Sequence, residues 1–255
     1  MDIVIIGTGN AAYTLAGLVK KSGHILLEVS GRNESELKKF AASFDVPASS
    51  IPNLTKDADL YIVAITDDAL YDIGDWLRLD KKLVVHTAGS VSKEVLQKVS
   101  RNYGVLYPLQ TLKKGMKSIP EIPFLVDGNT ADDLALIRDF ALSLSNKVEV
   151  AGDEGRRKLH LAAVVVNNFT NHLYSLAEAY CEKEGLSFDL LQPLIMETSQ
   201  RIKWMSPKTA QTGPAIRNDL STIEKQLDML KNHPELRRVY EVLTESIVHG
   251  ISNAG

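Results

Sequence analysis

Continuous apolar runs alternate with amphipathic segments along the first part of the chain. The apolar runs are IVII, ILLEVS, DLYIVAIT, KLVVHTAG, GVLYPLQT, IPFLVDG and KVEVAG. The segments between them include NESELKKFAASF, where Asn33 suits a helix N-cap, and also DDALYDIGDWL, SKEVLQKVS and a stretch from about Ala131 to Ser143. This alternation predicts an α/β fold, a doubly wound Rossmann-type parallel sheet with helices on both faces.

The strand pattern stops at Asp153, and helical periodicity replaces it. One long helix is expected from about Glu154 to Glu184, ending at Gly185. Its apolar stripe consists of Ala162, Val165, Val166, Phe169, Leu173, Leu176 and Tyr180. Three further helices are expected over about 187–203, 215–231 and 234–252. The pattern predicts a nucleotide-binding domain over 1–152 and an all-α domain over 153–255.

Composition narrows the class of protein. The 255 residues are 44% hydrophobic and 24% charged, and the net charge of −3 argues against a nucleic-acid partner. The single cysteine, Cys181, fits a reducing compartment. We expect a cytoplasmic protein with no signal peptide, no membrane span and no metal site.

The segment Gly7-Thr8-Gly9-Asn10-Ala11-Ala12 has the form G-x-G-x-x-A. It directly follows the first strand and opens the first helix. There, Gly7 permits a tight turn, Gly9 lets the backbone approach a pyrophosphate, and Ala12 replaces a third glycine where helix and strand pack closely. The position favours a dinucleotide site over a plain strand-to-helix turn.

The tip of the second strand indicates which dinucleotide binds. Glu28 could accept hydrogen bonds from a ribose, as in NAD enzymes, but it lies inside the strand. The tip carries Ser30, Arg32 and Asn33, groups that suit the 2′-phosphate of NADP(H). The sequence therefore favours NADP. The alternative is that Arg32 is only a solvated cation of the loop.

Three more loops follow apolar strands and should meet at the same ligand-binding edge of the sheet. Ala64, Ile65 and Thr66 are the expected contacts of the nicotinamide ribose. His86 and Thr87 follow the next strand, and Gln110 and Thr111 lie nearer the substrate. His86 is a candidate acid or a structural residue at the end of its strand.

The second half offers further candidates with equally ordinary alternatives. His160 and Asn168 lie on or beside the polar face of the long helix, which is either solvated or lines a cleft against the nucleotide domain. The connection around Thr212, Gly213, Pro214 and Arg217 either caps helices or binds substrate.

The motifs GTGNAA, VSGRN, VVHTAGS, LYPLQT, HLAAVVVNN and AQTGPAIRND together resemble a known family. Its members join a Rossmann-like NADP-binding domain to a helical domain of unknown function and are labelled NADP oxidoreductases. More distantly, the chain is similar to deazaflavin-dependent NADP reductases, pyrroline-5-carboxylate reductases and 6-phosphogluconate dehydrogenase-like enzymes. The resemblance implies an NADP(H) site, a cleft shared by the domains and a homodimer formed through the helices.

Two departures qualify the resemblance. The family usually has His-Pro where this chain has Tyr107-Pro108, which puts an acid or base role at that position in doubt. The dehydrogenase relatives use a helix lysine with an asparagine four residues on, whereas Lys158 is followed by Ala162.

The leading hypothesis is hydride transfer between NADP(H) and a small acceptor held between the domains. If the acceptor is an imine or carbonyl, His86 or His160 would supply the proton and Asn168, Gln110 and Thr111 would orient the acceptor. A deazaflavin or flavin co-substrate would require no strong acid. The alternative from another class is a non-catalytic NADP-binding sensor or scaffold.

Overall fold

Contacts divide the chain into two units, Met1–Asn167 and Asn168–Gly255. The computed structural model describes residues 1–115 and 119–252. The first unit includes the beginning of the long helix that follows the sheet. The domain ranges 1–152 and 153–255 differ from these units and stay a prediction.

Eight strands form one sheet in the first unit, in the order β3-β2-β1-β4-β5-β6-β7-β8. They are β1 (Asp2–Ile6), β2 (Ile25–Ser30), β3 (Ala48–Ser49), β4 (Leu60–Val63), β5 (Asp80–His86), β6 (Ser100–Pro108), β7 (Phe124–Gly128) and β8 (Val148–Val150). The predicted doubly wound α/β fold is confirmed, with the two-residue β3 as an addition to the predicted strands.

The sheet is parallel from β3 to β6, but β7 pairs antiparallel with β6 and parallel with β8. The expectation of a wholly parallel sheet is wrong for these last two strands. A parallel neighbour needs a crossover, usually a helix, and the described residues between Pro108 and Phe124 contain none.

The first unit contains six helices in its described residues: α1 (Asn10–Lys21), α2 (Glu34–Phe44), α3 (Asp67–Tyr71), α4 (Ile73–Trp76), α5 (Ala131–Leu144) and α6 (Asp153–Ala163). The predicted cap of α2 is confirmed, since the Asn33 side chain accepts a hydrogen bond from the Glu36 amide. The predicted helix over SKEVLQKVS is wrong: the segment contains a single 3₁₀ turn, Lys93–Leu96. Val91 and Val99, which flank the turn, are buried in the core, so the connection follows an irregular path.

The core lies on both faces of the sheet, as the continuous apolar strands predict. Ile3 and Ile5 pack into one cluster together with α1, α2 and α5. Val4 and Ile6 point to the opposite face and join a second cluster with Leu70. Successive side chains of a strand alternate between faces, so a strand buried on both faces is apolar along most of its length.

The long helix predicted from Glu154 to Glu184 is interrupted. It comprises α6, a π-helical segment Val164–Phe169 and α7 (Thr170–Lys183). The later helices are α8 (Gln192–Arg201), α9 (Pro207–Ala210), α10 (Leu220–Met229) and α11 (Pro234–Ser252). Helix α10 begins later than the predicted Ala215 because the Asp219 side chain caps it, accepting from the Thr222 amide.

The second unit buries few side chains. Its buried residues within the described part are Cys181, Ala215, Ile223, Leu230 and His233. Large apolar side chains such as Leu190 and Trp204 are instead 80% and 73% exposed. Across residues 1–115 and 119–252, no helix combines the length and hydropathy needed to cross a membrane.

Candidate functional site

The turn between β1 and α1 is built around two glycines with different requirements. Gly7 has φ +126°, its amide donates to the Ser30 carbonyl at 2.8 Å, and an added Cβ would lie 2.1 Å from the Ala64 carbonyl oxygen. Gly9 precedes α1, and a Cβ there would meet no atom within 4 Å. Gly7 therefore makes the turn possible, and Gly9 keeps the approach to the helix N-terminus open.

A cleft of about 460 Å³ opens at the carboxyl ends of β1, β2 and β4. Its predicted lining residues are Gly7, Thr8, Gly9, Asn10, Ala11, Arg32, Asn33, Ala64, Ile65 and Thr66. Its further lining residues are Ile6, Gly31, Ile51 and Trp76. The position fits a dinucleotide, with free amides at the start of α1 for the pyrophosphate and Arg32 at the tip of β2.

Four predicted cofactor contacts, Ala12, Ser30, His86 and Thr87, lie outside the lining of this cleft. Ala12 is buried against the sheet, in agreement with the packing role expected for it. Ser30 is also fully buried, and its hydroxyl donates to the Ser49 carbonyl at 2.9 Å. The Thr87 amide donates to the Val63 carbonyl at 3.2 Å.

Glu28, the competing ribose-binding candidate, is engaged inside the fold. Its carboxylate accepts from the Thr55 amide at 2.8 Å and from the Ser49 hydroxyl at 3.1 Å. These bonds hold the segment after β3 against β2. Arg32 and Asn33 thus remain the polar side chains of the β2 tip that line the cleft.

His86 is a buried residue at the end of β5. Its side chain is fully inaccessible, and Nδ1 accepts from the Ala88 amide at 3.2 Å. Burial, with the positive charge of Arg156 as the second cause, lowers the pKa of His86 to about 3. The imidazole is neutral and shielded, so the structure favours the interpretation of His86 as a structural strand-end residue.

Arg156 ties α6 to the loop that follows β5. The guanidinium is completely buried; its Nη2 donates to the Val91 carbonyl and, at 2.8 Å, to Asp153. Asp153 also accepts from the Lys93 amide at 3.4 Å. These contacts fix the first turn of α6, and His160 lies one turn further along the same face.

His160 and Tyr107 meet at the carboxyl end of the sheet. The Tyr107 hydroxyl and His160 Nδ1 are 2.8 Å apart, and both side chains are half-buried. Gly89 makes room for the pair, because a Cβ there would lie 2.7 Å from His160 Nδ1 and 2.8 Å from Tyr107 Cζ. The structure thus joins a predicted candidate, His160, to a residue whose role the sequence left in doubt.

Tyr107 remains a neutral phenol at ordinary pH. Burial, followed by the negative charge of Asp67, raises the pKa of its hydroxyl. Asp67 itself accepts a hydrogen bond from Ser90. A neutral phenol can accept from, or donate to, the imidazole, so it can hold His160 in either protonation state.

Gln110 and Thr111 follow β6 at the same edge. The Gln110 side-chain carbonyl accepts from the Thr111 amide at 2.9 Å, and the Thr111 hydroxyl accepts from the Asn167 side chain. Asn167, inside the π-helical segment, thus contacts a predicted substrate-binding residue of its own unit. Such π segments occur frequently at functional sites.

The remaining predicted residues belong to the second unit. Asn168 begins it, and Thr212, Gly213, Pro214 and Arg217 lie in the turn before α10. Gly213 has φ +112°, and the Pro214 carbonyl accepts from the Arg217 and Asp219 amides. Asp219, just after this turn, caps α10, and the substrate-binding role of the turn stays a prediction.

Sequence reasoning missed Arg156, Trp76 and the pairing of Tyr107 with His160. Tyr107 lies at the end of an apolar strand, so its position was a usable signal. Arg156 lies on a charged helical turn, where a solvent-exposed side chain is the ordinary expectation. Within residues 1–115 and 119–252, no three histidine, cysteine, aspartate or glutamate side chains come together as a metal site would require.

Two sequence families cover most of the chain. Residues 2–90 match the family described as NADP oxidoreductase, coenzyme F420-dependent. Residues 122–247 match the Domain of unknown function (DUF2520). No curated protein matches the sequence.

Solved structures show the same architecture. The crystal structure of a "putative NADP oxidoreductase" from Bacteroides fragilis is 38% identical, covers 97% of this chain and 98% of its own, and has a TM-score of 0.90. The imine reductase from Myxococcus stipitatus in complex with NADP⁺ is 16% identical, with 100% and 95% coverage and a TM-score of 0.68. The 1-pyrroline-5-carboxylate reductase from Streptococcus pyogenes is 16% identical, with 98% coverage of both chains and a TM-score of 0.65. These last two share the fold.

Proposed function

We propose that this protein reduces an imine or carbonyl compound with NADPH. The premise is its family: the chain belongs to the family in which an NADP oxidoreductase domain of the coenzyme F420-dependent type precedes a domain of unknown function. It is an NADP-dependent oxidoreductase, and the proposal concerns its acceptor. The observation that carries the proposal is the Tyr107–His160 pair at the edge of the sheet where the dinucleotide cleft opens.

The backbone amides and the polar side chains that line the cleft suit the phosphate groups of NADPH. The start of α1 offers amides to the pyrophosphate where Gly9 leaves space, and Arg32 and Asn33 offer donors to the 2′-phosphate. Ile51 and Trp76 add apolar surface suited to an adenine ring. When bound, NADPH supplies a hydride to the carbon of the C=N or C=O bond.

His160 is the proton donor in this proposal. As hydride adds to carbon, the electron pair of the double bond moves to nitrogen or oxygen, and that atom takes the Nε2 proton of a protonated His160, whose ring is left neutral with its remaining proton on Nδ1. Tyr107 holds Nδ1 at 2.8 Å and so directs Nε2 away from itself. Since Tyr107 stays protonated, its part is to orient the ring, and solvent returns the proton to His160.

The acceptor is positioned by groups next to this pair. Gln110 and Thr111 follow the strand that carries Tyr107, and their side chains offer hydrogen bonds to a polar acceptor. A deazaflavin or flavin acceptor would not need an acid held in this way. We therefore place imines and carbonyl compounds ahead of deazaflavins, with the latter as the competing class.

The test is NADPH oxidation over a panel of cyclic imines, ketoacids, flavins and a deazaflavin. We expect turnover with an imine or ketone and a kcat that falls about 100-fold in His160→Gln. A matched control is His24→Gln. His24 lies just before β2, where its ring forms a hydrogen bond with the Ser143 hydroxyl, and it takes no part in the Tyr107–His160 pair. Turnover of the deazaflavin alone, or an unchanged kcat in His160→Gln, would overturn the proposal. Tight NADPH binding with no acceptor reduced would favour the sensor or scaffold hypothesis.

We also propose that the second unit forms a homodimer. A helical unit with five buried residues among those described leaves much apolar surface uncovered, including Leu190, Leu194 and Trp204 at 80%, 61% and 73% exposure. Sedimentation should give a dimer that Leu190→Glu and Trp204→Glu dissociate. Tyr71→Glu, at a residue 65% exposed in the first unit, should leave it intact. A monomeric wild-type protein at micromolar concentration would contradict this proposal.

A further inference from the structure

Lys114 connects two elements that line the dinucleotide cleft. It lies after β6, and its amide donates to the Asn10 side chain at 3.1 Å. Its ammonium group lies 3.3 Å from a carboxylate oxygen of Glu36 in the first turn of α2. Asn10 belongs to the pyrophosphate turn, and α2 begins directly after Arg32 and Asn33.

The first turn of α2 carries two acidic residues next to Arg32 and Asn33, which line the cleft. It contains Glu34 and Glu36, and the Glu36 amide is itself bonded to Asn33, which lines the cleft. An unpaired carboxylate here would repel a 2′-phosphate, which carries about two negative charges. Glu34 is paired within the helix, with Lys38 at 2.7 Å.

Glu36 has two lysine partners, one of them from outside its helix. Its other oxygen contacts Lys39 at 3.1 Å, so Lys39 and Lys114 each take one oxygen of the carboxylate. Hydrogen bonds from Lys39 and then from Lys114 lower the pKa of Glu36, which is therefore ionised at neutral pH. Of the two lysines, Lys114 is the one whose backbone also contacts the pyrophosphate turn, through Asn10. This contact fixes the position of Lys114 relative to the cleft.

We propose that Lys114 favours NADPH over NADH by neutralising Glu36 beside the 2′-phosphate site. This inference rests on NADPH as the cofactor in the proposed function. The hydrogen bond from the Lys114 amide to the Asn10 side chain holds the backbone in place, and the Lys114 ammonium group supplies the positive charge. NADH has no 2′-phosphate, so its affinity depends little on the charge of Glu36.

The experiment measures the Kd of NADPH and of NADH by cofactor fluorescence, with no acceptor present. Lys114→Gln keeps the backbone bond to Asn10 and removes the charge. Because the pair is partly exposed, we expect the Kd of NADPH to rise about three- to fivefold and that of NADH to change less than about twofold. In the double variant Lys114→Gln/Glu36→Gln, the NADPH affinity should return to that of Glu36→Gln alone.

Lys113→Gln is the matched control, since Lys113 is exposed and carries no ion pair or hydrogen bond in the described structure. The inference is overturned if Lys113→Gln weakens NADPH as much as Lys114→Gln does. It is equally overturned if NADH weakens in parallel, or if Glu36→Gln fails to restore the affinity. A wild-type protein that binds neither dinucleotide would instead refute the cofactor, and with it the proposed function.

Discussion

The Tyr107 hydroxyl lies 2.8 Å from His160 Nδ1, with the two rings edge to face at a centroid distance of 5.8 Å. The partners are 53 positions apart in sequence, one at the end of a strand and one on a helix. Two features bring them together: Arg156 ties the helix to the loop after β5, and Gly89 leaves the volume that a side chain would fill. The pair is therefore a product of the tertiary fold.

Tyr107→Phe should separate orientation from binding. The variant keeps the ring that packs against His160 but loses the hydroxyl, so Nε2 is no longer directed at the acceptor. We expect kcat to fall about tenfold, with a smaller change in KM and an altered pH profile of kcat. Steady-state kinetics across pH with the best acceptor measure this.

Tyr103→Phe is the matched control for this variant. Tyr103 lies on the same strand, but its hydroxyl donates to Glu94 at 2.6 Å, outside the pair. Its kcat should stay at the wild-type value. If both phenylalanine variants lose activity equally, the effect comes from β6 and not from the hydroxyl of Tyr107.

The two glycines of the first turn should respond to alanine in opposite ways. Gly7→Ala places a Cβ 2.1 Å from the Ala64 carbonyl in a backbone with φ +126°, so the free energy of unfolding should fall by about 2 kcal/mol or more. Gly9→Ala meets no protein atom, so the fold should survive while the new methyl group obstructs the pyrophosphate. Urea unfolding and the Kd of NADPH distinguish the two effects: Gly9→Ala should be stable and bind at least about tenfold more weakly. A Gly9→Ala variant that binds normally would contradict the assigned pyrophosphate position.

Arg32→Ala should affect the two dinucleotides unequally. A guanidinium bonded to a phosphate contributes more than a neutral hydrogen bond, so the Kd of NADPH should rise about tenfold or more and that of NADH less than about twofold. Arg101→Ala, at an exposed arginine that follows the first residue of β6, is the control and should change neither. Equal losses for both dinucleotides would mean that Arg32 does not contact the 2′-phosphate.

Local sequence signals predicted the features that depend on neighbouring residues. The glycine turn, the Asn33 cap and the loops at the carboxyl ends of β1, β2 and β4 follow from strand and helix patterns a few residues long. The reversal at β7 did not follow, because an apolar strand reads the same in either direction. The 3₁₀ turn at Lys93–Leu96 and the π segment at Val164–Phe169 also escaped, since tertiary packing overrides local periodicity.

The roles of the histidines were the least predictable part of the site. His86 and His160 both carry chemistry suited to proton transfer, and the sequence could not distinguish them. Burial does so: His86 ends a strand that is covered on both faces, whereas His160 lies on a helix beside a glycine. The difference in burial depends on tertiary contacts such as that of Arg156 with Val91, which lie 65 positions apart in the sequence.

His86 should make the stability of the fold dependent on pH. Its pKa is about 3 in the folded protein, against 6.5 in a model peptide, because burial and Arg156 disfavour the charged ring. Between these values the unfolded chain binds one proton more than the folded one. The stability is thus fully present above about pH 6.5 and is lost as the pH falls toward 3, by about 1.4 kcal/mol per pH unit for this group.

His86→Asn tests this because an asparagine can still accept from the Ala88 amide but does not titrate. Urea unfolding at pH 7.5 and 5.0 should show a loss of stability in the wild type that exceeds the loss in the variant by about 2 kcal/mol. His172→Asn, at an exposed histidine of α7, should keep the full pH dependence of the wild type. If His86→Asn loses as much stability as the wild type over this range, the ring is protonated in the folded state. In that case His86, and not only His160, could donate a proton at the edge of the sheet.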